Sequence, residues 1–230
     1  MNHRSIAIDG PSGAGKSTLA KRLAQELGFL YVDTGAIYRT VGLAGLRQGT
    51  DLSDVAQVAA ILPQLTITMG YGKDGLQRMY LNGEDVTAAI RQNEVSACAS
   101  KVALIPVVRD FLMEMQRKAA REHSVIMDGR DIGTVVLPDA DLKIYLTAAP
   151  EARAKRRYQE LLEQGQQTDF DQVLREVIER DRRDTERETA PLKQAEDAVL
   201  ADTTELDLEG SFQLLLGLIR DRLGVKEGQE

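Results

Sequence analysis

Several catalytic strategies need residues that this chain has little of. Its 230 residues include a single cysteine, Cys98, which excludes an intrachain disulfide and any zinc site built on paired thiolates. A lone thiol of this kind reads as a small buried hydrophobe. The two histidines, His3 in the N-terminal fringe and His123 in the polar connection "AREHS", give a serine or cysteine triad little to draw on. Basic residues are not in excess: 29 Lys and Arg against 36 Asp and Glu leave a net charge of -7. That balance argues against a protein whose main work is to hold nucleic acid electrostatically, and it makes any anion site local. Long apolar runs are missing as well. The opening "MNHRSIAIDG" has only a three-residue apolar run, too short for a secretory h-region, and no later run approaches the ~18 residues of a membrane span. Internal repeats, low-complexity segments and a disordered tail are also absent from the pattern. The expectation is a soluble, cytoplasmic protein with no membrane or nucleic-acid partner, long enough for one large domain or two smaller ones.

What is present begins at the N-terminus. "RSIAIDGPSGAGKSTLAKRLAQELG" runs from a short apolar strand through a glycine-rich turn into a helix with Leu19, Leu23 and Leu27 at four-residue spacing. Inside it, "GPSGAGKS" matches GxxxxGK[ST] in the strand-loop-helix context that gives this motif meaning. Gly13 and Gly15 let the backbone wrap a phosphate without Cβ clashes, so that successive N–H groups and the helix N-terminus point at the anion. Lys16 adds a point charge near the β- and γ-phosphates, and the Ser17 hydroxyl can ligate Mg²⁺. A nucleoside triphosphate site is expected over Gly10, Pro11, Ser12, Gly13, Ala14, Gly15, Lys16, Ser17 and Thr18. The loop is shared by kinases, motors and GTPase switches. A guanine-reading NKxD stretch is lacking and the length leaves little room for motor machinery, so a small-molecule kinase leads.

Strand-like runs recur at Ile6 to Asp9, Phe29 to Asp33, Val125 to Asp128, Leu142 to Thr147 and Val199 to Asp202, with helical patterns between them. Such alternation predicts an α/β fold: a five-stranded parallel sheet flanked by helices, with ligands at the carboxyl ends of the strands. Asp9, Asp33 and Asp128 end three of those strands, where they can hold the hydration shell of Mg²⁺ or serve as ordinary turn residues. One stretch breaks the alternation. "LTITMGYGKDGLQRMYLNGEDVT" (65 to 87) has period-two apolar residues and turns at Gly72 to Gly75 and Asn82-Gly83, which predicts a small antiparallel sheet inserted into the α/β body. Helix returns from Val95 to Ala120, with Pro106 starting a new one. After Pro150 come a basic helix, a polar connection at 164 to 169, and a last helix leading into "ERDRRDTER".

Three constellations could hold an acceptor. "VDTGAIYR" places Thr34 and Gly35 at a helix start with Tyr38 and Arg39 one turn on, which suits a second phosphate or, equally, a capped helix with an exposed arginine. "MDGRDIGT" follows an apolar strand and sets Arg130 beside Asp131 in a glycine-flanked loop, the kind of strand-end loop that carries function. In "ERDRRDTER", helical spacing puts Arg180, Arg183, Asp184 and Arg187 on one face and Arg182 elsewhere. Interleaved charges are usually a solvated face, and Arg182 with Glu179, Asp181 and Glu186 fits that description. The like charges Arg183 and Arg187 at i,i+4 should instead repel, which suggests a mobile phosphate clamp.

Taken together, "IDGPSGAGKST", "DTGAIYR", "NGEDVT", "DGRDIGT" and "ERDRRD…R…APL" closely resemble the bacterial cytidylate kinases, nearly end to end. The resemblance implies a P-loop kinase fold, in a single domain, that transfers the γ-phosphoryl group of ATP, with Mg²⁺, to CMP or dCMP as a cytoplasmic monomer. It implies a core (1–33, 104–155 and 185–230), a nucleoside-monophosphate-binding part with the insert (34–103) and a mobile lid at about 156–184. By matching motif position it puts Ser100, Arg109 and Asp131 around the cytosine, Arg39, Arg130 and Arg187 on the acceptor phosphate, Asp184 near the sugar, and Arg180 and Arg157 toward the lid and ATP. Thr34 stands where serine is common, and either offers a hydroxyl. With Tyr38, these residues make up the expected substrate site.

The acceptor, a phosphate monoester with second pKa ~6, is already an anionic nucleophile at neutral pH and needs no general base. The need is for cations aimed at the transferring group, for which Lys16, Arg130, Arg180 and Arg187 are the candidates, with Ser17 on Mg²⁺ directly and Asp33 and Asp128 through water. Cytosine's N4 amino group suits a carboxylate, whereas uracil's O4 does not. The competing readings are another P-loop kinase with a different small acceptor (UMP/CMP, another nucleoside monophosphate or shikimate) and a P-loop ATP-binding regulator that contacts a protein.

Overall fold

The computed structural model of the protein describes residues 3–163 and 165–224. Its strands are β1 (Ser5–Asp9), β2 (Leu30–Asp33), β3 (Ile67–Tyr71), β4 (Gln77–Leu81), β5 (Glu84–Asp85), β6 (Val125–Gly129), β7 (Leu142–Thr147) and β8 (Val199–Asp202). Its α-helices are α1 (Lys16–Leu27), α2 (Thr34–Gln48), α3 (Val55–Ile61), α4 (Asn93–Val102), α5 (Pro106–Glu122), α6 (Pro150–Glu163), α7 (Phe170–Glu186) and α8 (Leu208–Leu223). A sheet in the order β2-β6-β1-β7-β8, every pairing parallel, forms the body.

Strands buried on both faces read as continuous apolar runs, and the period of two decides which side each residue serves. Ile6, Ile8, Ile126 and Ile144 face α1 and α8, where they pack with Leu19, Leu23, Phe212 and Leu215. Ala7, Val125 and Met127 face the other layer, with Ile37 and Val41 of α2 and Leu112 of α5. A smaller cluster of Ala154, Leu161, Val173 and Val177 holds α6 against α7. Because all five strands run the same way, their carboxyl ends share an edge. There Asp33 lies in register with Asp128, and Asp9 with Gly129.

The insert forms as expected, a three-stranded antiparallel sheet in the order β3-β4-β5. Its second turn has Asn82 and Gly83 both at positive φ (51° and 86°), the backbone that Asn-Gly supplies to a tight hairpin. The insert docks on the main sheet through side chain to backbone bonds. Gln77 accepts from the Asp33 N–H (2.7 Å) and donates to the Asp33 carbonyl (3.3 Å), while the Tyr71 hydroxyl donates to the Tyr31 carbonyl.

Two expectations need correction here. The last helix stops at Glu186, with Arg187 in extended backbone (φ -62°, ψ 138°), so Arg187 does not continue the helical stripe. Arg183 stays on the face that spacing gives it, with Arg180 and Asp184, although it is exposed and pairs with Glu179. Cys98 is half-buried rather than fully buried. Of the polar connection at 164 to 169, Gln164 lies outside the described residues, as do residues 225–230, on which the expectation of an ordered tail falls.

Candidate active site

The loop after β1 and the acidic strand edge meet in one cleft of about 1210 Å³. That exceeds the usual range of a single-ligand pocket, roughly 300–1,000 Å³, and leaves room for two ligands side by side. The candidate site residues named from sequence all line it except Asp9, Gly10, Pro11 and Arg157.

On the loop side, the glycines have different reasons to be there. At Gly10 a Cβ would stand 1.9 Å from the Leu146 carbonyl oxygen, so this position serves the packing of the loop's base on β7. Gly13 and Gly15 hold left-handed backbone (φ 76° and 85°), the conformation that turns N–H groups inward. Helix α1 begins at Lys16 with no side chain capping it and no acid in its first turn, which leaves its N–H groups and positive dipole end open to an anion. Lys16 is 5% exposed and curls back to donate to the Pro11 carbonyl at 2.7 Å. Burial, with Arg130 nearby, pushes its ammonium well below the ordinary lysine value.

Beneath the loop, Asp128 accepts from the Ser17 hydroxyl (2.8 Å) and the Tyr31 hydroxyl (2.9 Å). Burial and the neighbouring Asp33 raise its carboxyl above the usual range, against the pull of Lys16. A hydroxyl and a buried, under-neutralised carboxylate are hard oxygen donors, and they fit Mg²⁺ held jointly by protein, water and phosphate oxygens. Among the described residues no three His, Cys, Asp or Glu side chains form a cage of their own. Asp33 is otherwise engaged. Its carboxylate caps α2 by accepting from the Ala36 N–H (2.8 Å) and pairs with Arg39 (3.1 Å) and Arg91 (2.9 Å). Burial raises this carboxyl, but the two arginines outweigh that and hold it below the ordinary value. The start of α2 is thus closed by Asp33 rather than open to a phosphate. Asp9, buried behind the loop, accepts from the Ile132 (2.8 Å) and Gly133 (2.7 Å) N–H groups and is pushed up to about 6, chiefly by burial. It joins the P-loop strand to the loop that carries Arg130 and Asp131.

The opposite side of the cleft is built from side chains of five separated segments. Thr34 donates to the Asp128 carbonyl (2.8 Å), which locks α2 onto β6. Arg109 of α5 is buried and paired with Asp131, over which Arg187 also lies at 3.6 Å. Burial raises the Asp131 carboxyl despite both arginines. The Arg109 guanidinium sits 5.6 Å from the Tyr38 ring centroid. Arg130 donates to Asp184 of α7 at 2.7 Å, and Arg187 to the Ala190 carbonyl at 2.7 Å. The Asp184 carboxyl, raised by burial, is brought below its ordinary value by Arg130. Arg180 lines the cleft with its guanidinium pKa lowered by burial and by Arg130, the mark of cations gathered without a full complement of acids. Ser100 lines the cleft too, its hydroxyl donating to the Ser96 carbonyl.

Other residues of the site escaped the sequence reading. Arg157 is not among the residues lining the cleft and pairs with Glu160 (3.2 Å), which is, while its neighbour Arg156 lines the cleft and donates to the Thr203 carbonyl. Helical neighbours lie 100° apart, and spacing alone does not say which one faces inward. Asp181, assigned to the solvated face, forms a two-pronged pair with the buried Arg153 of α6. Arg91 joins Arg39 on Asp33. The available signal for Arg153 is its place beside Ala154 on the apolar side of a basic helix.

This geometry stands beside clear likenesses to known proteins. The family model described as Cytidylate kinase matches residues 6–220. A protein named cytidylate kinase from Caldicellulosiruptor bescii is 50% identical over 218 residues, covering 95% of this chain and 96% of the relative. Another of that name from an Exiguobacterium species is 48% identical over 216 residues, covering 94% and 96%. Among solved structures, an uncharacterized protein from Eubacterium ventriosum superposes with a TM-score of 0.53 at 14% identity, covering 96% of this chain and 100% of that one, a likeness of fold alone. With the family model spanning nearly the whole chain and near-full-length relatives at about half identity, the protein belongs to the cytidylate kinase family.

Proposed function

We propose that the protein transfers the γ-phosphoryl group of ATP to the phosphate of CMP or dCMP, giving ADP and CDP or dCDP. The observation that carries this reading is the single cleft in which an open P-loop faces a cluster of arginines, with a buried Arg109–Asp131 pair among them. ATP lies with its β- and γ-phosphates in the loop from Ser12 to Thr18, against Lys16. Mg²⁺, when bound, neutralises phosphate charge there, held by the Ser17 hydroxyl with Asp128 behind it. Of the two candidate aspartates Asp128 fits better, since the Asp33 oxygens are taken by Ala36, Arg39 and Arg91.

The acceptor phosphate is met by Arg39, Arg130 and Arg187, and the sugar by Asp184. Asp131 accepts from the cytosine amino group, Arg109 donates to its ring acceptors, and Tyr38 and Ser100 line the same subsite. Each of these arginines is held by an acid or a carbonyl of the protein, so the nucleotide takes over partners that are already oriented. Attack needs no base, because the nucleophile is the anionic phosphate oxygen. The work of the chain is to bring two polyanions into line and to put Lys16, Arg130, Arg180 and Arg187 around the charge that moves. In this reading residues 1–33, 104–155 and 185–230 form the core, 34–103 the acceptor-binding part and 156–184 a lid that closes over the phosphates and excludes water. A monomer suffices, since one chain supplies every group.

The test is stoichiometry across an acceptor panel. With ATP and Mg²⁺, CMP and dCMP should yield ADP and the matching diphosphate in equal amounts, and UMP should be turned over far less well. ATP hydrolysis indifferent to CMP would overturn the reading in favour of a P-loop regulator.

A further inference from the structure

One of the most deeply buried charges in the molecule is outside the cleft. Arg153, in the first turns of α6, is 3% exposed, and neither it nor its partner Asp181 lines the pocket. An arginine so placed persists only if its donors are matched. Here they are divided among three elements. Nε donates to the Ala148 carbonyl at the end of β7 (2.7 Å), and Nη1 to the Ser12 carbonyl in the P-loop (2.9 Å). Nη1 and Nη2 both donate to Asp181 of α7 (3.0 and 2.5 Å). The side chain also runs close under the loop, where a Cβ at Gly13 would stand 3.3 Å from the Arg153 Cβ. The guanidinium thus pulls a loop carbonyl outward, the orientation that leaves neighbouring N–H groups facing the cleft.

Asp181 sits one turn before Asp184 on the same helix, and Asp184 accepts from Arg130 of the acceptor loop. Arg180, its immediate neighbour, lines the cleft. Contacts of Ser12 with Arg153, of Arg153 with Asp181 and of Asp184 with Arg130 are therefore joined through one turn of α7, and they run from the phosphate loop, behind the cleft, to the arginines on its far side.

We propose that Arg153 and Asp181 are positioning residues that fix the P-loop and the arginine-bearing helix α7 relative to each other, so that the loop reaches its phosphate-binding shape together with the placement of Arg180 and Asp184. Neither touches a nucleotide. The proposal rests on the reading of the cleft as an ATP and nucleoside-monophosphate site. It separates this pair from the surface ion pairs of the same helix, such as Arg182–Glu179, which are exposed on both sides and are worth little.

The test uses the whole protein and a fluorescent N-methylanthraniloyl ATP probe beside steady-state kinetics. Asp181→Asn keeps the side chain's shape and removes its charge. It should weaken probe binding and raise the KM for ATP by about tenfold and lower kcat, while the KM for CMP moves less than twofold and Tm by only a few degrees. Asp181→Glu should recover part of the loss, and Arg153→Lys, which keeps charge but loses the fork, should resemble Asp181→Asn. Unchanged probe binding and kcat in Asp181→Asn would overturn the proposal. So would an equal decline of the ATP and CMP parameters in step with Tm, the pattern of a merely structural contact. If the wild-type protein bound the probe but did not phosphorylate CMP, the functional reading would fail, and the probe comparison would still decide the role of this pair.

Discussion

The two sides of the cleft are built on different principles. The P-loop side is almost entirely backbone, supplied by one run of nine residues whose glycines and uncapped helix start create a site for an anion before any side chain is counted. The acceptor side is almost entirely side chain, gathered from segments around residues 38, 109, 130 and 187, and three of its cations are paired with acids: Arg39 on Asp33, Arg109 on Asp131, Arg130 on Asp184. A backbone nest holds phosphate whatever the phosphate is attached to. A set of paired charges admits only a ligand that replaces each partner well enough to offset the pairs it disturbs. Affinity for triphosphate should belong to the first side and discrimination to the second.

The largest expected effect breaks the first side. Lys16→Ala should lower kcat/KM on the order of a thousandfold for every acceptor alike, since it removes a buried cation from the transferring phosphates. An acceptor-dependent loss would blur the division.

The next tests the joint between the sides. Asp9 titrates near 3.8 in the unfolded chain and about 6 in the folded one. Between those values the folded protein keeps a proton that the unfolded chain has released, so this group's contribution falls as pH rises through the window and is flat above it, a change worth roughly 3 kcal/mol. Denaturant unfolding of the wild type and Asp9→Asn should therefore show the wild type's relative stability declining from about pH 4 to pH 7. A difference independent of pH would remove Asp9 from the joint.

On the acceptor side, Arg187→Ala should cut turnover with CMP by something on the order of a hundredfold, with little change in Tm because Asp131 retains Arg109. Wild-type turnover would return Arg187 to an ordinary surface role. The smallest effect is the most specific. Asp131→Asn presents an amide that can donate to uracil O4, and it should shrink the preference for CMP over UMP by about ten- to a hundredfold while ATP affinity stays put. Equal kcat/KM ratios in the two proteins would place base choice elsewhere.

The same contrast explains what could be read from the sequence. The parallel strands fall within a residue of their expected limits, and Leu142–Thr147 and Val199–Asp202 match them: the inner strands, covered on both faces, leave unbroken apolar runs, and the edge strand Val199–Asp202 is bounded by polar residues. The insert was legible from its Asn-Gly turn, and the P-loop because its residues are contiguous. Side chains that depend on a neighbouring element were not. Helical spacing grouped Arg180 with Arg187, but α7 ends one residue short of Arg187, with no glycine or asparagine to announce the stop. It could not say that Asp181 meets Arg153, since nothing in "ERDRRDTER" records what α6 brings to that face. Nor could it tell that Arg156, not Arg157, lines the cleft.

Gly10 adds a lesson for anyone mutating this chain in bulk. In a library carrying every substitution at every position, position 10 should be as intolerant as position 16, and the pair would look like one functional signature. The causes differ. Any side chain at 10 drives a carbon into the Leu146 carbonyl, so its variants should be lost from the soluble fraction, whereas Lys16 variants should accumulate as folded, inert protein. Scored by yield as well as growth, the motif divides into residues selected for chemistry and one selected for room.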